Sequence, residues 1–232
     1  MLLKEDLEEI QRYLDGLDSA RERLLECSRR AVRLASWAIL QVHRMELEEA
    51  EETIKEVEDA LKEMEEAVRE YPELSSHSSA LTAYQEYVEA KAFHILTREA
   101  RLCRLGEVDV PSAQYLLGLL DMVGELRRTA LECLKRSDPE SAEAKLNIME
   151  RIYEDLLSLD HTTVISNFRH KMDAARRVIE ATRGDVVTEL RRRSLEDSIN
   201  GLNRSISLLR IREEKGDAVL NREGQKGSTD DG

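Results

Sequence analysis

Aromatic residues are scarce in this chain. They make up 4% of its 232 residues, too few for a sheet protein of this size. The core must therefore come from Leu, Ile, Val and Ala. Proline occurs only at Pro72, Pro111 and Pro139, and glycine is sparse, so long stretches hold nothing that would interrupt a helix. Cys27, Cys103 and Cys133 are odd in number and widely spaced, which argues against a disulfide framework and for reduced thiols inside a cell. No basic start leads into an apolar run, so no signal peptide is expected. No window is long and apolar enough to span a bilayer. The expected location is the cytoplasm, with no membrane partner. Net positive charge is lacking too: the balance is −13, which excludes general affinity for nucleic acid and requires any polyanion site to be local.

What the chain does have is charge at helical spacing, with 36% charged residues. A short helix is expected first, with a break near Asp15–Gly16 and Ser19 as the next N-cap. One long helix should then reach about Glu70, roughly 75 Å if unbroken. Its second half carries Ile54, Val57, Leu61, Met64 and Val68 as a coiled-coil-like seam. Helix three should run from about Ser79 to Leu105 and stop at Gly106. Helix four opens at Pro111 and continues to about Arg136. Ser137-Asp138-Pro139 caps helix five, and residues 160–163 separate it from helix six, which ends near Gly184. A seventh helix reaches about Glu214. The domain is thus expected over 1–214, with a disordered tail over 215–232. The fold class is all-α, a bundle with short connections.

Two acidic pairs interrupt apolar helical patterns: Glu86 and Glu89 in AYQEYVEAKAF, and Asp121 and Glu125 in YLLGLLDMVGELRR. Spacings of three and four put each pair on one helix face. The first pair continues into Phe93, Leu96, Ala100 and Cys103, a core-facing stripe; the second shares its face with Leu117, Gly118 and Arg128. Carboxylates directed toward a core are costly unless neutralised, and a hard divalent cation would do so. The bland alternative is two solvated acidic faces. Gly118 and Gly124 each cost a helix about 1 kcal/mol relative to Ala, which suggests close approach by a backbone or ligand. No histidine follows a Glu by three positions, which removes the ferritin-like di-iron pattern. His-Glu-x-x-His and paired-cysteine motifs are also absent, as are phosphate-loop, dinucleotide and nucleophile-elbow motifs. Magnesium, with manganese as the alternate ion, is the remaining metal reading.

Arginines form the second constellation: Arg21, Arg23, Arg29, Arg30 and Arg33, then Arg98, Arg101 and Arg104, then Arg127 and Arg128, then Arg169 with Lys171. Most read individually as solvated surface. Acids beside arginines nevertheless meet the chemical requirement of phosphodiester hydrolysis, in which a metal neutralises phosphate oxygens and activates water while arginine holds the strand. Trp37 and the cysteines read as packing residues.

YQEYVEA (Tyr84 to Ala90) and YLLGLLDMVGELRR (Tyr115 to Arg128) resemble signatures of the translin family, and of its catalytic branch, translin-associated factor X, more than translin itself. ERLLECSRR (Glu22 to Arg30), Val42-His43-Arg44 and FRHKMD (Phe168 to Asp173) resemble weaker family segments. The resemblance implies a seven-helix translin-like bundle with long antiparallel helices. It further implies a hollow octamer binding RNA or single-stranded DNA inside, and magnesium-dependent endoribonuclease activity. Glu86, Glu89 and Asp121 match the catalytic, metal-holding acids, and Glu125 a supporting ligand. Arg29, Arg128, Arg169 and Lys171 match basic positions of the family and, with Arg33 from the arginine cluster, are the expected nucleic-acid-binding residues. Ser36 and Trp37 depart from the family's basic pair. Because this chain carries the catalytic motifs itself, a homo-oligomer is expected, and the spare, charge-rich composition suits a prokaryotic or archaeal cytoplasm. The alternatives are a non-catalytic RNA- or DNA-binding oligomer and a coiled-coil scaffold.

Overall fold

A computed structural model describes residues 3–159 and 164–226, with side chains as far as residue 208. Among them there are six α-helices and no strand: α1 (Lys4–His43), α2 (Leu47–Ala67), α3 (Ser78–Glu99), α4 (Ser112–Lys135), α5 (Pro139–Leu157) and α6 (Phe168–Lys226). By internal contacts the chain forms two units, Met1–Arg183 and the segment from Gly184 onward.

The first unit opens with α1, α2 and α3, which run antiparallel in succession: Glu65 meets Tyr84 near one end of the α2–α3 pair, and Glu51 meets Arg98 near the other. α1 and α2 form an antiparallel hairpin: Arg30 pairs with Glu63 at 2.7 Å, and the Tyr13 and Tyr71 rings lie 5.6 Å apart near its open end. The face of α1 that meets the bundle is mostly alanine (Ala31, Ala35 and Ala38, with Leu24 and Val42), all at most 1% exposed. Small residues let the axes approach closely. The expected seam Ile54, Val57, Leu61, Met64 and Val68 is buried throughout. Each such aliphatic side chain contributes about 1.5–3 kcal/mol by leaving water.

Several boundaries differ from expectation. α1 is continuous through Gly16, and the break falls at Met45 instead, whose φ is 63°. Gly16 serves packing, because a Cβ there would stand 2.0 Å from the Tyr71 hydroxyl. α3 ends at Glu99, earlier than Gly106, because Ala100 adopts a left-handed conformation with φ 55°. Ala100 and Cys103 therefore do not extend its stripe. Pro139 opens α5 as expected, and the Asp138 side chain accepts a hydrogen bond from the Ser141 N–H at 3.1 Å. Residues 160–163, expected as a separator, lie outside the described residues. The expected sixth and seventh helices are one, since α6 passes through Gly184, where a Cβ would meet nothing within 4 Å. α6 also continues beyond Glu214, and the last part of the expected tail, 227–232, lies outside the described residues.

Candidate metal and nucleic-acid site

The acids lie near the place where α3 crosses α4. Gly118 makes this crossing possible, since a Cβ there would lie 2.7 Å from the Gln85 carbonyl oxygen and 2.7 Å from the Val88 Cβ. One turn further along α4, Gln85 Nε2 donates to Asp121 Oδ2 at 2.5 Å. Lys171, from the first turn of α6, donates to the other Asp121 oxygen. The end of α1 brings in His43, whose Nε2 lies 2.5 Å from Glu125 Oε2 and whose ring packs on Phe93 at 4.8 Å. Arg128 stands 3.8 Å from the same Glu125 oxygen. Four helices thus supply the site.

Glu86 and Glu89 differ from the other two acids. Among the described residues neither forms a hydrogen bond or ion pair with the protein. Glu89 is 9% exposed. Burial, then the charges of Asp121, Glu86 and Glu125, push its carboxyl up to about 8. Glu86 is raised by burial and by Asp121, with Lys171 pulling the other way. Both shifts follow from burial and from like charge nearby.

The donor chemistry suits a hard cation: carboxylate oxygens only, two of the acids unpartnered, in a half-buried setting. As the side chains stand, no group of three or more His, Cys, Asp or Glu among the described residues could hold a metal ion. Lys171 supplies the compensating charge at Asp121 instead. Lys171 is therefore part of the acid cluster and not of a free basic surface.

The arginines divide. Arg30 pairs with Glu63, Arg98 with Glu51, and Arg101 with Glu99 and Glu107, which makes these structural. Arg29, Arg33, Arg128 and Arg169 are exposed. Of these only Arg128 touches an acid of the cluster. Trp37 is not a packing residue: it is 49% exposed, with the Arg44 guanidinium 5.7 Å from its ring centroid. Cys27 and Cys103 are buried free thiols, and Cys133 is free and half-buried. Gly124, read beside Gly118 as a close-approach glycine, faces open space. His43 and Gln85 are the two site residues the sequence pattern missed. Gln85 adjoins Glu86; His43 lies in the Val42-His43-Arg44 family segment, but it is 82 positions from Glu125 and nothing local tied it to that partner.

A helical bundle with acids gathered at a crossing of α3 and α4 defines the class. The sequence profile of the translin family matches residues 8–181, and the chain belongs to that family. It is 30% identical over 212 residues to an uncharacterised protein of Methanocaldococcus jannaschii, spanning 88% of this chain and 91% of that one. Among solved structures it resembles AfC3PO, at 36% identity and a TM-score of 0.72, covering 81% of this chain and 98% of that one. The complex of AfC3PO with duplex RNA matches at 35% identity and a TM-score of 0.72, with the same coverage. Apo-NeC3PO matches at 25% identity and a TM-score of 0.72, covering 82% of this chain and 99% of that one. No helix among the described residues is long and apolar enough to cross a membrane.

Proposed function

We propose that this chain is a magnesium-dependent endoribonuclease of the catalytic, translin-associated-factor-X-like branch, working as a homo-oligomer, most simply an octamer. The observation that carries this reading is the Glu86–Glu89 pair, the first half-buried and the second buried, both unpartnered and electrostatically coupled to Asp121 and Glu125. A fold that only needed to be stable would have matched these carboxylates with cations. Glu86, Glu89 and Asp121 would hold the ion, with Glu125 beside them. Magnesium bound there would neutralise phosphate oxygens and lower the pKa of water; manganese could replace it.

The protein's own groups have distinct tasks. Gln85 and Lys171 fix the Asp121 carboxylate from both sides, and His43 fixes Glu125. Arg128 stands at the rim, exposed enough to meet a phosphate. Arg29, Arg33 and Arg169 supply further exposed positive charge for a nucleic-acid backbone. Such contacts are indifferent to sequence, so RNA is the expected ligand and single-stranded DNA a weaker one. The RNA complex of AfC3PO supports the RNA class.

One observation favours a second reading, an RNA-binding oligomer without catalysis: Lys171 already neutralises Asp121, and the acids do not converge as ligands. Labelled RNA incubated with the purified chain, with magnesium or with chelator, separates the two. Cleavage that requires magnesium supports the nuclease; salt-sensitive binding without cleavage supports the second reading. Absence of both would leave a scaffold.

A further inference from the structure

The segment beyond Gly184 has no place in the chemistry above, and it lies C-terminal to the stretch matched by the family profile. Its helix exposes large apolar side chains in a row: Leu195 (62%), Ile199 (49%), Leu202 (62%) and Ile206 (40%). Their spacings are four, three and four, and the sequence continues the pattern at Leu209. That is a heptad seam, with Ile at the a positions and Leu at the d positions. β-branched residues at a with Leu at d favour two parallel strands. Scattered exposed apolar residues need no explanation, but a row at this spacing does.

The flanking charges agree with that geometry. In this register Arg191 occupies a g position and Glu196 the e position five residues later. These are the two positions that meet across a parallel, in-register pair, and their charges are opposite. Arg191 has no acidic partner among the described residues. Glu196 is held 2.5 Å from Arg192 within its own helix, which leaves its other oxygen available. Arg192, at the a position preceding the seam, is neutralised by Glu189 and Glu196 and marks the seam's N-terminal limit.

We infer that the α6 segment from Arg191 to Ile206 pairs with the same segment of a second copy of this chain as a parallel, in-register two-stranded coiled coil. The apolar contact spans only two heptads, so its strength depends on the high local concentration that an already assembled oligomer provides.

Cysteine scanning on the full chain tests this, in a Cys133→Ser background because Cys27 and Cys103 are buried. In a parallel pair each residue faces its own copy. Leu195→Cys alone and Leu202→Cys alone should each form a disulfide-linked dimer under mild oxidation. Gly201→Cys, at an outward c position, should not. Arg191→Glu should reduce the cross-linking, and adding Glu196→Arg should restore it. All the seam positions are exposed, so folding should be unaffected, as circular dichroism would verify. Cross-linking of Leu195→Cys only when mixed with Ile206→Cys would show an antiparallel pair and overturn the assignment. No cross-linking at either seam position would overturn it as well, as would equal cross-linking at Gly201→Cys.

Discussion

Helix α3 meets acids on two sides, one of them belonging to α2 and two its own, and treats them in opposite ways. On the side that meets α2, Glu58 accepts hydrogen bonds from Tyr87 at 2.7 Å and Lys91 at 2.6 Å. Burial opposes its charge, yet these bonds outweigh burial and hold the carboxyl below its usual value. On the side that meets α4, Glu86 and Glu89 have no such partners and their carboxyls are raised. The two sides of α3 thus show what a carboxylate looks like when it serves the fold, and what it looks like when it does not. The difference is compensation, not burial.

The strongest way to break this contrast is chemical. Glu89→Gln keeps shape and removes one charge. Magnesium-dependent RNA cleavage should fall by about 100-fold or more, since metal stabilisation of the transition state is worth several kcal/mol. Glu58→Gln should leave cleavage within a few-fold of wild type. Equal losses in both variants, measured as single-turnover rates at saturating RNA, would dissolve the functional distinction between the faces.

The two acids should also give opposite slopes of stability against pH. Unfolded, Glu89 loses its proton near 4.5; folded, it keeps it up to about 8. Between those values the folded state binds more protons, so stability falls as pH rises. Glu89→Gln should remove that decline and be more stable than wild type at pH 8.5, by on the order of a few kcal/mol. Glu58 has the opposite sign: its folded value is depressed, so its contribution is present above about 4.5 and lost as pH falls through the folded value. Glu58→Gln should therefore cost about 1–2 kcal/mol at neutral pH, with the deficit shrinking in acid. Urea titrations of the apo chain across pH 4 to 9 would read both slopes, and parallel profiles would refute the assignment.

How the two faces are held apart depends on Gly118. Alanine there would drive a methyl into the Gln85 carbonyl and Val88. α3 and α4 would have to separate, costing about 1–3 kcal/mol and displacing Asp121 from Gln85. Gly124→Ala, with open space around it, should stabilise the helix by up to about 1 kcal/mol. If Gly118→Ala were as benign as Gly124→Ala, in melting and in cleavage, the crossing would not set the site.

The glycines also show where sequence reading stops. Gly118 and Gly124 look alike in the chain, and only the neighbour across the interface tells them apart. Gly16 reads as a break and is a seat for Tyr71. The reversal at Met45 has neither glycine nor proline to announce it. Helix starts at Pro111 and Pro139 were legible because proline acts through its own backbone. The acid pairs were legible for the same local reason, since spacing alone puts two residues on one face. Their partners were not: Gln85 lies 36 positions from Asp121, Lys171 50 positions from it, and His43 82 from Glu125. Those contacts exist only after four helices have packed.

The smallest expected effect separates compensation by metal from compensation by protein. If the α4-facing acids hold magnesium, the ion stabilises the folded chain in proportion to its occupancy. At an ion concentration about tenfold above its dissociation constant the gain is about 1.4 kcal/mol. For a chain of this size that raises the melting temperature by on the order of 3–5 °C. The gain should be largest at pH 8.5, where Glu89 is ionised in the apo protein, and should shrink toward pH 6, where the ion must displace a proton. Glu58→Gln should start from a lower melting temperature yet show the same magnesium increment, because Glu58 is already neutralised by Lys91. Glu89→Gln should start higher and lose most of the increment. Calorimetry of the three proteins, with and without magnesium at both pH values, needs no RNA and no turnover. An increment that survives in Glu89→Gln would move the ion elsewhere, and one missing from wild type at pH 8.5 would leave the protein's own cations, Lys171 and Arg128, as the counter-charge of this site.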